Sequence, residues 1–118
     1  MLRIMIIRWF INTVALGVAS SLVSGIYYFQ LEDLVIAAAL FGLLNTFIKP
    51  LLLILTLPIN LLTLGLFTFV INAIMLGLTS SFLSGFVVSG FWPALGGAII
   101  ISIVSIVLNS MLKEEKYK

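Results

Sequence analysis

Charge is almost absent from this chain. Between Met1 and Leu112 only five of 112 side chains carry a formal charge: Arg3, Arg8, Glu32, Asp33 and Lys49. A soluble domain would carry roughly a quarter charged residues. Here the whole-chain figure is 8%, against 63% hydrophobic residues, so the solvent of this chain is lipid. In lipid the backbone must satisfy its own hydrogen bonds, which leaves helices as the natural solution for long apolar runs. The sequence therefore predicts an all-α polytopic membrane protein.

A helix needs about 20 apolar residues to cross a bilayer, so four spans nearly exhaust 118 residues. The expected domain is a single unit over 1–118. Its spans are placed at about 4–24, 34–56, 59–83 and 93–112, with a solvated tail at 113–118. The opening MLRIMIIRWF resembles the basic start of a signal peptide. The apolar run continues to about Val23 without a small-residue cleavage site, so it reads as an uncleaved first span. Lys49-Pro50 interrupts the second span, because Pro50 deprives the Thr46 carbonyl of its partner and predicts a kink. Leu57-Pro58 is expected to be a tight turn, with Pro58 in the first turn of the next helix.

Lys and Arg near the span ends set the orientation. Arg3 and Arg8 lie at one terminus and Lys113, Lys116 and Lys118 at the other. The intervening links 26–33 and 84–91 contain none, and Glu32 and Asp33 lie there instead. Both termini are therefore expected in the cytoplasm, with four spans between them. Trp9, Tyr27, Tyr28 and Trp92 fall near the expected interfaces, where amphipathic rings prefer to sit.

Residues 11–25, INTVALGVASSLVSG, match residues 71–85, INAIMLGLTSSFLSG, at eight of fifteen positions with an offset of 60. Shared Leu or Ile would be cheap in two apolar helices. A shared Asn, two Gly and three Ser would not, so the pattern predicts two tandem two-helix repeats. Spans two and four match weakly, through Ala38 and Ala98 and through Asn45 opposite Ser105. Each half has two spans, so the expected symmetry is a pseudo-twofold along the membrane normal.

Polar side chains within spans should face other helices or a wet cavity. Asn12 and Asn72 are repeat mates, readable either as interhelical glue or as substrate contacts. Gly42, Asn45 and Lys49 share a face of span two. Lys49 can snorkel toward the inner interface. Alternatively it lines an inner vestibule or grips an anionic headgroup. Asn12, Asn45, Lys49 and Asn72 thus form the candidate polar intramembrane site. Gly17, Ser21 and Gly25, and their counterparts Gly77, Ser81 and Gly85, form candidate helix-packing grooves. On span four, Ala94, Ala98, Ser102, Ser105 and Asn109 share one face, and Gly96-Gly97 reads as packing. Glu32 and Asp33 are sufficiently explained as N-terminal caps of span two.

The chain has no cysteine and no histidine, which removes thiolate chemistry and the commonest general base and metal ligand. No nucleophile–base pair or phosphate-binding glycine loop appears. The expectation is a non-enzyme with no catalytic residue, no cofactor, no metal and no nucleic-acid partner. Its expected partners are the lipid bilayer and further copies of itself.

The stretch Asn45 to Leu76 resembles the signature of the four-helix phage-holin-like family, superfamily IV. The resemblance is carried by Asn45, Lys49-Pro50, the run Leu51 to Pro58, Leu64-Gly65-Leu66-Phe67 and Ile71-Asn72-Ala73. Gly85-Phe86 and Gly90 to Leu95 extend it over nearly the whole chain. It implies oligomers that permeabilise the inner membrane. Two alternatives stay open beside that reading. One is a non-lytic envelope protein that binds lipid or a partner. The other is a small transporter with a polar site around Lys49.

Overall fold

The structure, a computed structural model, describes residues 2–117, with side chains to residue 112. It is mostly helical. In chain order the elements are α1 (Leu2–Leu22), β1 (Ile26–Tyr28), α2 (Leu31–Phe47), α3 (Lys49–Leu55), α4 (Leu57–Leu62), α5 (Phe67–Phe82), β2 (Phe86–Val88) and α6 (Phe91–Tyr117). The helix of α6 continues past Leu112, where the sequence predicts a tail. Lys113, Lys116 and Lys118 lie outside the described side chains.

α1, α2, α5 and α6 pack in a ring: α1 against α2 and α6, and α5 against the same two neighbours. Small residues let these helices approach. Ala15, Ala19, Ala37 and Ala38 are fully buried in the core with Leu16, Phe41, Leu76 and Phe86. α1 and the segment Phe91–Leu112 of α6 are each long and apolar enough to cross a membrane. α2 and α3 would together make a third such segment, bent by 40° at Ile48. α5, with 16 residues, is apolar but shorter.

The two links expected as loops are instead paired strands. β1 and β2 form an antiparallel two-stranded ribbon with Ile26 opposite Val88, Tyr27 opposite Val87 and Tyr28 opposite Phe86. Exchanging residues at an offset of 60 carries the first pair onto the third and leaves Tyr27–Val87 in place. The flanking bonds obey the same exchange: Phe29 N–H donates to the Gly85 carbonyl at 3.1 Å, and Ser89 N–H to the Gly25 carbonyl at 2.8 Å. Ser20 Oγ donates to the Ile26 carbonyl at 3.1 Å. Its counterpart Ser80 Oγ accepts from Val88 N–H at 3.0 Å. Buried positions also recur at this offset, among them Ile11 and Ile71, Leu16 and Leu76, Ile26 and Phe86, and Phe41 and Ile101.

The ribbon sits close on the helix ends. A Cβ on Gly25 would meet the Pro93 ring at 2.5 Å, and one on Gly85 would strike the Asp33 carboxylate. The Ile26 side chain packs over Gly97, where a Cβ would collide with it. Asp33 Oδ2 accepts from Gln30 N–H at 3.1 Å and so caps α2, as expected of a carboxylate at a helix start.

The stretch of the third expected span, about 59–83, is not built as one helix, and Leu57-Pro58 is not the tight turn but the start of α4. Thr56 separates α3 from α4, and Pro58 stands in the first turn of α4. The sharp reversal lies instead at Leu64-Gly65, both with positive φ (57° and 87°), where Gly65 N–H closes a 2.8 Å bond to the Asn60 carbonyl. Such a left-handed pair ends a helix by satisfying its free carbonyls. The segment from Ile48 to Leu66 is rich in exposed apolar residues, with Leu62 85% and Leu64 93% exposed.

Because the Pro93 ring is rigid, Gly25→Ala forces backbone movement and is expected to destabilise by about 1–3 kcal/mol. Gly77 has nothing within 4 Å of a built Cβ. Gly77→Ala is expected to be neutral, or to gain up to about 1 kcal/mol from helix propensity. Thermal unfolding of the two variants in detergent checks both signs.

Candidate functional site

Asn12 and Asn72 each lie about 15 Å along the helix from its ribbon-side end, at 1.5 Å per residue. Asn45 lies about 21 Å from the ribbon-side end of α2, and Lys49 follows one turn later at the break before α3. The ribbon fixes the antiparallel register of the four ring helices. As a result these residues meet: Asn12, Asn45, Lys49 and Asn72 line one cavity of about 140 Å³. Ser102 and Ser105 of α6 complete its polar lining, and Phe41, Ala98 and Ile101 its apolar walls. The space admits several waters.

The polar groups differ in how well they are satisfied. Asn72 Nδ2 donates to Ser102 Oγ at 3.4 Å, and Ser102 Oγ donates to the Ala98 carbonyl at 2.9 Å. Asn12 turns its amide toward α2, where a Cβ on Gly42 would lie 3.0 Å from Nδ2. Gly42 therefore makes room for that amide. Asn45 Oδ1 is buried and has no hydrogen-bond partner. An unsatisfied buried acceptor costs about 1–3 kcal/mol, so packing alone gives no reason for an amide at this position. Lys49 is half-buried. The described carboxylates Glu32 and Asp33 stand near the start of α2, at its other end, so neither is its counterion.

The candidate packing residues do not act as one set. Ser21 and Ser81 are exposed, and each hydroxyl donates to its own helix, to the Gly17 carbonyl at 3.1 Å and the Leu78 carbonyl at 2.7 Å. Gly17 is in ordinary contact with Leu34, at 3.5 Å from a built Cβ. Gly77 instead opens into a crevice of about 250 Å³ between α5, β2 and α6, lined also by Ala73, Ile74, Val88, Gly90, Phe91 and Ala94. The difference follows from the sequence: Leu34 covers Gly17, while its counterpart Ala94 is too short to cover Gly77. Within this set of six, Gly25 and Gly85 alone make very close approaches, and they do so to residues in the first turns of α6 and α2. On α6, Ala94 and Ala98 are buried and Ser102 and Ser105 face the cavity, while Asn109 is exposed.

Asn60, which sequence reasoning passed over, is buried within the apolar run LPINLL. Its Nδ2 donates to Thr56 Oγ1 at 3.4 Å and its Oδ1 accepts from Thr68 Oγ1 at 3.2 Å. It pins α4 and the reversal onto the start of α5. The available signal was Thr56, Asn60, Thr63 and Thr68 at near-helical intervals inside an otherwise apolar stretch.

These two amides make opposite predictions. Asn60→Ala is expected to lose about 1–3 kcal/mol by leaving the Thr68 hydroxyl without its acceptor, while Thr56 keeps its bond to the Leu52 carbonyl. Asn45→Leu removes an unsatisfied acceptor and is expected to leave stability unchanged or raised. Parallel unfolding curves in detergent decide whether Asn45 is structural.

The chain matches the mycobacterial four-transmembrane-segment phage holin family, superfamily IV, over residues 3–107. It is 48% identical over 85 residues to an uncharacterised protein of Streptomyces coelicolor, covering 69% of this chain and 68% of that one. It is 36% identical over 105 residues to an uncharacterised membrane protein of Bacillus subtilis, YvlD, covering 88% of each chain. No solved structure matches it significantly. With nearly its whole length matched, the chain belongs to the phage holin superfamily IV of bacterial membrane proteins.

Proposed function

We propose that this chain is a non-enzymatic inner-membrane protein that works by holding a small polar group in its intramembrane cavity, and not by lining a hole. The observation that carries this is the gathering of Asn12, Asn45, Lys49 and Asn72 around one cavity inside a single chain. A wide aqueous hole built from several copies needs polar groups on an outward face. Here the outward faces of α1, α5 and α6 present large apolar residues, among them Ile4, Phe10, Ile74, Ile103 and Ile106.

On this reading the chain is two tandem two-helix repeats with four spans and both termini in the cytoplasm. The bent pair α2–α3 is the second span, and α5, extended at its start by the α4 hairpin, is the third. The exchange symmetry of the ribbon at an offset of 60 supports the duplication. The ring order of the helices fits a twofold along the membrane normal. Arg3 and Arg8 at one end, against Glu32 and Asp33 beside the ribbon, support the orientation. Self-association would use the crevice over Gly77, where α5 and α6 are left uncovered.

The test is membrane potential and leakage of sized dyes in cells titrated from low to high expression, beside Lys49→Ala and a Gly17→Leu/Gly77→Leu double variant. The expected result is an intact potential at high, correctly inserted expression. Leakage at a sharp expression threshold, abolished by the glycine changes, would replace this reading with an assembling pore.

A further inference from the structure

We infer that the cavity takes a phosphodiester whose alcohol carries a free hydroxyl, a phosphoglycerol headgroup, with Lys49 on the phosphate and Asn45 Oδ1 on the hydroxyl. The inference rests on the reading of the cavity as a binding site and adds the chemistry of its occupant. Lys49 is the one formal charge among the lining residues, and the Asn12 amide and Ser105 hydroxyl add donors to the same lining. A cation surrounded by donors selects an anion. A single ammonium balances the one charge of a phosphodiester better than the charge of −1.5 to −2 on a phosphomonoester near neutral pH.

The second requirement comes from Asn45. Asn45 lines the cavity that holds Lys49, and its Oδ1 is a buried acceptor without a partner among the described residues. A bare anion would leave that oxygen unsatisfied and add repulsion. An occupant that completes the site must therefore bring a donor as well as a negative charge. An ammonium donor would lie beside Lys49, and like charges at such range disfavour each other. A hydroxyl supplies the donor without that penalty.

The position agrees with a headgroup. Lys49 stands at the break between α2 and α3, beside the exposed apolar residues Phe47, Ile48 and Leu51. Acyl chains can lie against that surface while the polar end turns inward. The same group could also arrive as a soluble glycerophosphodiester, and the experiment separates the two sources.

The experiment is native mass spectrometry of the full chain released from neutral detergent, titrated with phosphatidylglycerol, phosphatidylmethanol, phosphatidylethanolamine and phosphatidylcholine. Glycerophosphoglycerol serves as a soluble competitor. Phosphatidylmethanol keeps the charge and lacks the hydroxyl, so wild-type protein is expected to prefer phosphatidylglycerol by about threefold to tenfold, the worth of one net hydrogen bond. Asn45→Leu is expected to abolish that preference, and Lys49→Met to weaken both anionic lipids against phosphatidylcholine. Displacement by glycerophosphoglycerol at concentrations comparable to the lipid would assign the soluble source, and no displacement the lipid. Equal binding of the glycerol and methanol lipids by wild-type protein overturns the hydroxyl inference and leaves the binding-site reading standing. Equal binding of all four lipids, unchanged in Lys49→Met, overturns both. The wild-type comparison decides the matter even if a variant fails to insert.

Discussion

Hydrocarbon offers no hydrogen-bond partner, and nearly every departure from plain helix in this structure is answered by a group that supplies one. The chain leaves the helical state at the two links, at Ile48, at Thr56 and around Leu64, and side-chain or strand hydrogen bonds gather at each. At the two links the strands pair with each other, and Ser20 and Ser80 bond into them from the helix ends. At the reversal around Leu64, Asn60 collects Thr56, Thr68 and the Gly65 N–H through its side chain and carbonyl. At the bend after α2, Thr46 Oγ1 bonds back to the Gly42 carbonyl at 2.8 Å, and Ile48 N–H to the Leu44 carbonyl at the same distance. Polar residues in a membrane chain of this composition are thus spent where the backbone needs them. That is why the remaining polar cluster, which serves no backbone break, draws attention.

Much of the site was legible in the sequence because charge and amides are rare there. Lys49 stands out as the one charge deep inside a predicted span, Arg8 lying near the start of the first. Asn12 and Asn72 are linked by the 60-residue match, and Asn45 shares a helix face with Lys49. Their convergence was not legible. It depends on the antiparallel register of the helices, which the ribbon sets, and two three-residue strands between Gly-, Ser- and Tyr-containing links give no alternation long enough to read. The reversal at Leu64-Gly65 was missed for a related reason. Pro58 is a louder signal than Gly65, yet Pro is compatible with a first helical turn while a left-handed pair is not. Asn60 was hidden because a single amide in an apolar run gives no sign of which partners the fold will bring.

The packing grooves illustrate how residues matched at an offset of 60 can keep their type without keeping their job. Ser21 and Ser81 are conservatively placed and face outward, each bonded to its own helix. Gly17 and Gly77 occupy equivalent places, yet one is covered and the other opens into a crevice, because Leu34 and Ala94 differ in length. Gly25 and Gly85 keep the same duty, a close approach to a residue in the first turn of a helix of the other half. Residues matched at the offset of 60 therefore share a place in the fold, and the neighbours packed on them decide what each one does.

The cavity shows the same mixture of matched and unmatched positions. Its frame is close to symmetric: Asn12 answers Asn72, Phe41 answers Ile101, Ala38 answers Ala98, and Asn45 stands opposite Ser105. The residue equivalent to Lys49 is Asn109, which is exposed and lies outside the cavity lining. A purely structural core would gain nothing from a half-buried lysine on one side and an orphaned amide oxygen one turn before it. In an apolar bundle either is costly, and a leucine at Asn45 would remove one of those costs. A one-sided cation in a two-sided frame gives the cavity a direction, toward the α2–α3 break and the apolar surface beside it. On the reading of the cavity as a binding site, an occupant entering from that side would meet Lys49 first and the amides of Asn12, Asn45 and Asn72 beyond it.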